Sequence, residues 1–427
     1  MLIAVVGLQF GDEGKGKFVD YLSGNVNNIA RFNGGANAGH SVQCGNIRGS
    51  FSQLPSSLNK KNLYICQGAL ISLPILIREI EFIQRENIHS SIFIDPRCHI
   101  VLPLHAELNK ASEQYKGKNK IGSVGVGVGA CIEDKYNRHG IRLIDTLDKE
   151  RLRNKLQFLW DIREKQINHV FSGNISLDFE EMLEETYQYG KKLEPYFTFT
   201  NEIIGDLLNS GEDVLLETSQ ATFLDNSFGT YPYTVAYQTL VQTCFAMIGI
   251  PAQKMHIVGV MKSYMIRVGN GPFPTELLSE PADYIRERGN EYGTVSKRPR
   301  RCGWLDLCLI KHAVKLNGVT ELAITNTDVL ADLHEIKVAI AYEIDDKIVC
   351  CDDALLQFDR VKPIYKIFKS WGKLNSSYTH LAQLPVELIN FLSFIQDYAG
   401  IPIKYISYGP DRNQTLVMKE ENGENND

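Results

Sequence analysis

Much that would narrow the function of this 427-residue chain at a glance is missing from it. It has no run approaching the roughly 20 apolar residues of a membrane-spanning helix, which excludes a helical span. Its nine cysteines are odd in number, scattered from Cys44 to Cys351 and free of any CxxC pair, which argues against a disulfide framework or a zinc ribbon. An apolar stretch begins at Leu2 in place of a signal peptide, so reduced thiols and a cytoplasmic location are expected. Charge of one sign is also scarce: 45 Lys and Arg stand against 51 Asp and Glu, a net −6. Apart from Lys297 to Arg301 the cations are dispersed, so the chain lacks the footprint of a nucleic-acid binder and suits a small anionic ligand better. There is no internal repeat and no long Pro/Gly/Ser-rich linker. The length then implies either two domains or one enlarged α/β domain.

What is present starts at the N-terminus. Leu2-Ile3-Ala4-Val5-Val6 reads as a buried strand, and Gly11-Asp12-Glu13-Gly14-Lys15-Gly16-Lys17 follows it as a turn opening a helix over Phe18 to Leu22. Such a turn converges backbone N–H groups on an anion. From Gly11 the spacing is that of a phosphate loop, except that Phe18 stands where a Ser or Thr would bind magnesium. Asp12, inside the loop, is the replacement ligand, since magnesium is commonly shared between a carboxylate and nucleotide phosphates.

Further apolar runs at Tyr64 to Cys66, Ser91 to Ile94, Val214 to Leu216, His256 to Val260 and Leu322 to Thr325 alternate with helix-like stretches at Leu73 to Arg85, Thr234 to Ile248 and Leu305 to Leu316. That alternation predicts an α/β fold with a large, mostly parallel central sheet flanked by helices. Residues 1–418 are expected to form one α/β domain. Asp145 to Leu207, with Leu152, Leu156, Leu159 and Trp160 at helical spacing, reads as an inserted helical subdomain, and the acidic tail 419–427 is expected to be disordered.

Several loops carry chemistry. Asn33 to His40 holds three glycines and ends in a side chain that titrates near neutrality. Ile121 to Ala130 has glycines at alternate positions and reads as a ligand loop throughout. Arg138 and Arg142 would share a face if helical. Gly229 to Tyr233 and Gly269 to Thr275 are turns, and Lys297, Arg298, Arg300 and Arg301 place four cations in five positions, suited to a dianion. Asp328 follows a strand, where a carboxylate can accept from guanine N1–H and its 2-amino group.

Taken together, GDEGKGK, GGANAGH, GTYPY, GNGPFPTE, RRCGWLD and GPDR, in this order between Val6 and Arg412, resemble the adenylosuccinate synthetase family. The resemblance implies a GTP-dependent ligase, with Mg2+, that joins IMP to L-aspartate in AMP synthesis through 6-phosphoryl-IMP. It implies that Asp12 takes the purine N1 proton and holds magnesium with the Gly39 carbonyl, while His40 and Lys15 stabilise the charge developing on phosphate and Gln220 contacts the acceptor. On the nucleotide it implies Gly11, Glu13, Gly14, Gly16, Lys17, Ser41 and Arg300, with Asn326, Asp328, Ser407 and Gly409 at the guanine. For the acceptor it implies Asn37, the positions of Val124 and Val235, and Arg298, with Thr294, Val295, Ser296 and Arg298 on the amino acid. An arginine matching Arg138 would reach IMP across the interface of a homodimer.

The departures cluster on one side. Ser123-Val124 stands where family members usually carry Thr-Thr, and Val235 where they carry Thr, so two hydroxyls that would grip the IMP phosphate are gone. Val126 replaces an Arg, Asn326 the Lys beside guanine, and Lys297, Pro299 and Tyr237 also differ. The triphosphate and proton-transfer residues are intact. Two alternatives stay open on this pattern: a diverged member acting on another purine-like acceptor or amino acid, and a nucleotide-binding regulator without turnover.

Overall fold

The computed structural model describes residues 1–293 and 299–418. Thr294, Val295, Ser296, Lys297, Arg298 and the tail 419–427 lie outside the described residues. Nine strands form the central sheet: β1 (Leu2–Gly7), β2 (Asn28–Arg31), β3 (Asn62–Ile65), β4 (Ser91–Ile94), β5 (Val214–Glu217), β6 (Met255–Lys262), β7 (Glu321–Thr325), β8 (Ile403–Ser407) and β9 (Thr415–Val417). Their spatial order is β9-β8-β7-β6-β1-β5-β2-β3-β4. Only the β8–β9 pair is antiparallel. Strands buried on both faces read as continuous apolar runs, which is why the sequence marks β1 and β3 to β7; β2, β8 and β9, shorter or broken by polar residues, went unread. Leu2, Ala4 and Val6 enter one core cluster and Val5 the cluster on the opposite face.

β1 lies between β5 and β6, with Val5 beside Glu217 and Gly7 beside Val260. In such sheets ligands collect outside the carboxyl ends of the strands. The segments leaving those ends are Leu8 to Gly14 after β1, Phe32 to Gly39 after β2, Thr218 to Gln220 after β5, Asn326 to Asp328 after β7 and Tyr408 to Gly409 after β8. The sequence-selected loops that begin at Gly11, Asn33, Thr325 and Gly409 therefore meet along one rim.

The helices Lys149–Lys165, Phe179–Leu193 and Thr200–Asn209 occupy the stretch expected to be helical. Leu152, Leu156, Leu159 and Trp160 are buried in the cluster that contains Val5, Ile29 and Leu215, so this segment packs on the sheet through apolar side chains.

Three expectations need correction. Thr234 to Ile248 is not a helix: only a 3-10 turn at Val241–Thr243 and the helix Cys244–Ile248 are regular. Its N–H groups are captured elsewhere, Val235 by the Leu224 carbonyl and Thr239 and Leu240 by the Asp225 carboxylate, which competes with helix bonds. The loop after Ile121 ends at Gly127, and Val128–Asn137 is helical. Arg138 terminates that helix with left-handed backbone and Arg142 is extended, so the two share no helical face. A small sheet built on the antiparallel pair Glu335–Ile344 and Lys362–Lys369 went unread in the sequence.

Candidate functional site

The helix α1 (Lys15–Leu22) begins at the turn after β1, with Gly14 at its N-cap at φ 94°. The turn is shaped from within by Glu13, which is fully buried. Its carboxylate accepts from the backbone N–H of Gln9 at 3.2 Å and Gly11 at 2.7 Å, and from the Lys15 ammonium at 2.7 Å. The Glu13 side chain is thus engaged inside the loop, and the Lys15 charge lies against it. The Thr325 hydroxyl at the end of β7 donates to the Glu13 carbonyl at 2.7 Å, fastening the turn to a neighbouring strand.

Asp12 points the other way. It is about a third exposed, has φ 58°, and meets Arg300 Nη2 at 2.7 Å. Gln220 and Asn326 also take positive φ, 66° and 57°. Non-glycine residues in that region carry strain that the surrounding structure must hold. Here they stand just beyond β1, β5 and β7, where loops turn onto the rim.

His40 packs directly on α1: a β-carbon added to Gly16 would lie 2.9 Å from that of His40, so only glycine fits. The imidazole Nδ1 donates to Glu217, the last residue of β5. Glu217 is fully buried and also accepts the Ser56 N–H at 2.7 Å and hydroxyl at 2.6 Å. Burial alone would raise its pKa, but His40, Arg31 and Ser56 outweigh that and hold it at about 2, so it is ionised. Burial lowers the pKa of His40, with Arg31 and Lys15 acting in the same direction and Glu217 opposing them. An ionised partner on Nδ1 fixes the tautomer and directs Nε2 away from Glu217. Gly39 and Ser41 flank this ring, Ser41 being exposed.

On the β5 side, Gln220 Nε2 donates to the Asn37 carbonyl at 3.1 Å and Asn37 Nδ2 to the Tyr237 hydroxyl at 3.3 Å. Arg31 and Ser219 are buried beneath, joined at 2.9 Å. Val235 and Val126 are partly buried against the cluster holding Val128 and Tyr237, whereas Val124 is exposed on the loop. Arg138 is exposed too.

Beyond β7 and β8, Asp328 is partly buried, and burial raises its pKa against the pull of Lys17. Lys17 does not face open space. Its ammonium donates to the Ser407 hydroxyl at 2.7 Å, the Gly409 carbonyl at 2.7 Å and the Gln414 carbonyl at 3.0 Å, tying α1 to the segment after β8. Ser407 also donates to the Gly409 carbonyl at 3.1 Å. Burial lowers the Lys17 pKa to about 7 against the pull of Asp328 and Asp411. Between pH 7 and 10.5 the unfolded chain then binds a proton that the folded one has released, so stability from this group rises with pH across that window. Replacing Lys17 with Met is expected to flatten the rise, measured as Tm from pH 7 to 10; an unchanged slope would contradict the assignment.

Sequence reasoning missed Glu217, Ser56, Arg31 and Glu291, whose carboxylate accepts from Arg300 at 2.9 Å. An acid closing the apolar run Val214 to Leu216 was the available signal for Glu217. The other partners are remote in sequence and left no local mark.

Among the described residues no group of three or more His, Cys, Asp or Glu could hold a metal. A caged transition metal therefore does not fit among these residues, whereas one carboxylate about a third exposed, Asp12, fits a magnesium ion whose other ligands are phosphates and water.

A sequence model of one family, adenylosuccinate synthetase, matches residues 4–416. The chain is 87% identical over 419 residues to "Adenylosuccinate synthetase 1" of Photorhabdus laumondii, covering 98% of this chain and 100% of the relative. It is 39% identical to the adenylosuccinate synthetase of Thermoplasma volcanium, over 97% of each chain. Among solved structures, fully ligated adenylosuccinate synthetase from Plasmodium falciparum superposes with a TM-score of 0.91 at 32% identity, covering 98% of this chain and 99% of that one. The succinoaminodeoxyadenylate synthetase of cyanophage S-2L, at 18% identity and a TM-score of 0.61 over 98% of this chain and 95% of its own, shares the fold.

Proposed function

Since the chain belongs to the adenylosuccinate synthetase family, carbon–nitrogen ligases that join IMP to L-aspartate with GTP and Mg2+ in AMP synthesis, we propose that the rim around Asp12 and His40 is where it does so. The observation that carries this reading is the pairing of a strained, accessible carboxylate in the phosphate turn with an imidazole packed on the same helix and backed by an ionised glutamate. Asp12 accepts the N1 proton of IMP, which makes O6 nucleophilic. O6 then forms its bond to the γ-phosphorus as the bond to the β-phosphate oxygen breaks and GDP leaves. In the second step the aspartate amine attacks C6 and expels phosphate.

The chain's own groups supply charge stabilisation. The amides at the start of α1 face the triphosphate. His40, as the imidazolium, donates from Nε2 to the phosphoryl oxygen while its Nδ1–H stays on the ionised Glu217. Asp12 and the Gly39 carbonyl would hold magnesium, which neutralises phosphate charge when bound. Gln220 and Asn37 hold the purine, and Arg300 contributes a guanidinium at the phosphates once it turns from Asp12. Asp328 accepts from guanine, with Ser407 and Gly409 shaping that side through Lys17. The amino-acid residues Thr294 to Arg298 lie outside the described residues and are proposed from the resemblance alone. So are the homodimer, in which the exposed Arg138 would reach the neighbouring IMP, and a cytoplasmic location, which nine free thiols and the absence among the described residues of any helix long and apolar enough to cross a membrane support.

Val235 and Val124 offer no hydroxyl to the IMP phosphate, and a hydrogen bond to a charged group contributes about 1.5–3 kcal/mol. In a coupled assay of adenylosuccinate formation with GTP and aspartate, IMP is expected to be the best acceptor of a purine panel. Val235→Thr should lower the KM for IMP by about tenfold. An unchanged KM would show that other donors already fill that place, and a better acceptor than IMP would overturn the substrate assignment.

A further inference from the structure

The Asp12–Arg300 contact is one end of a buried chain of charges leading away from the phosphate turn. Glu291, fully buried, stands at its centre, just past the helix Glu280–Gly289. One carboxylate oxygen accepts from the Lys262 ammonium and the Tyr264 hydroxyl. The other accepts Arg300 Nη1 at 2.9 Å, while Nη2 of the same guanidinium reaches Asp12 at 2.7 Å. The main chain repeats the link: Arg300 N–H donates to the Glu291 carbonyl at 2.9 Å, and Arg286 Nε to the Arg300 carbonyl at 3.2 Å. Lys262 closes β6 and Tyr264 follows it, so the anchor is the central sheet itself.

We infer that Glu291 is a positioning residue of the ligation: held by Lys262 and Tyr264, it keeps one arm of Arg300 and leaves only the other for Asp12. The inference rests on Asp12 being the reacting carboxylate. A guanidinium with both arms on one carboxylate makes a stronger, bidentate pair. Freed from Glu291, Arg300 would close on Asp12 in that way and withhold it from the purine proton. A removed anion would also leave Lys262 without its buried partner, so the arrangement cannot relax without moving the cations.

Glu291→Gln keeps the side chain's size and removes its charge. Its kcat is expected to fall about tenfold or more while the KM for GTP stays within about threefold, the split expected when an interaction is realised only in the transition state. A merely structural role would lower Tm and leave the kcat of the folded enzyme unchanged, and that result overturns the inference. Tyr264→Phe, which removes a single donor to Glu291, is measured alongside. It should show the same split on a smaller scale, and it decides the matter if Glu291→Gln does not fold: an unchanged kcat then overturns the proposal. Asp12→Asn is the control. Full turnover in that variant sinks the assignment of the site, whereas an inactive Asp12→Asn beside a normal Glu291→Gln sinks the positioning role alone.

Discussion

His40→Asn is expected to lower kcat by about 10²–10⁴-fold, the range that a positioned acid or base commonly supplies. The β-carbon and main chain of His40 lie against Gly16 on α1, and Glu217 holds the ring at Nδ1, which leaves Nε2 for a ligand. Asparagine is shorter and cannot hold both Glu217 and a phosphoryl oxygen. The effect should fall on kcat more than on the KM for GTP, because the charge that Nε2 meets develops during transfer. Steady-state kinetics with purified, folded variant checks this. Burial lowers the His40 pKa, so the ring is neutral over a wider range than a free imidazole. Because Nδ1–H is held by Glu217, Nε2 donates only from the imidazolium, so kcat is predicted to fall as rising pH deprotonates His40; a kcat flat across the imidazole range would contradict the donor role.

Asp12→Asn is expected to reduce ligation by about 10⁴-fold, the upper end for proton transfer, because it removes the proposed proton acceptor and takes the charge from the proposed magnesium ligand. The fold should tolerate the change well. Asp12 is about a third exposed and its only ion pair among the described residues is with Arg300, which keeps Glu291. Asn is also among the residues that best accept positive φ, so the turn at 58° is kept. The loss is therefore chemical, and nucleotide binding through the amides of α1 should survive it.

Much of the site was legible because it is local. A glycine-rich turn behind an apolar run marks Gly11 to Lys17 from sequence alone, and six of the sheet strands announce themselves by apolar runs, whereas Asn28–Arg31 and Ile403–Ser407, each interrupted by polar or charged residues, did not. The antiparallel pair Glu335–Ile344 and Lys362–Lys369 escaped for the opposite reason. Its residues are mostly half-exposed and carry Lys337, Lys362, Lys366 and Lys369, a pattern that resembles a solvated surface. Thr234 to Ile248 looked helical by its apolar spacing, yet the Leu224 carbonyl and the Asp225 carboxylate, just upstream, redirected its N–H groups. The same limit applies to roles within the site. Lys17 has phosphate-loop spacing, but the acceptors that hold it lie some 390 residues further along the chain. Glu13, beside Asp12, faces the interior and Asp12 the rim, and nothing in the order of two adjacent acids distinguishes them.

Proton transfer by the Asp12 carboxylate, proposed to activate the acceptor, is open to direct test. The most direct measurement takes one preparation of Asp12→Asn, titrates a fluorescent GTP analogue, and follows phosphate release with GTP, IMP and aspartate at saturation. Retained nucleotide binding with phosphate release at background is the predicted result. Phosphate release near the unmodified rate, with binding intact, would contradict the account.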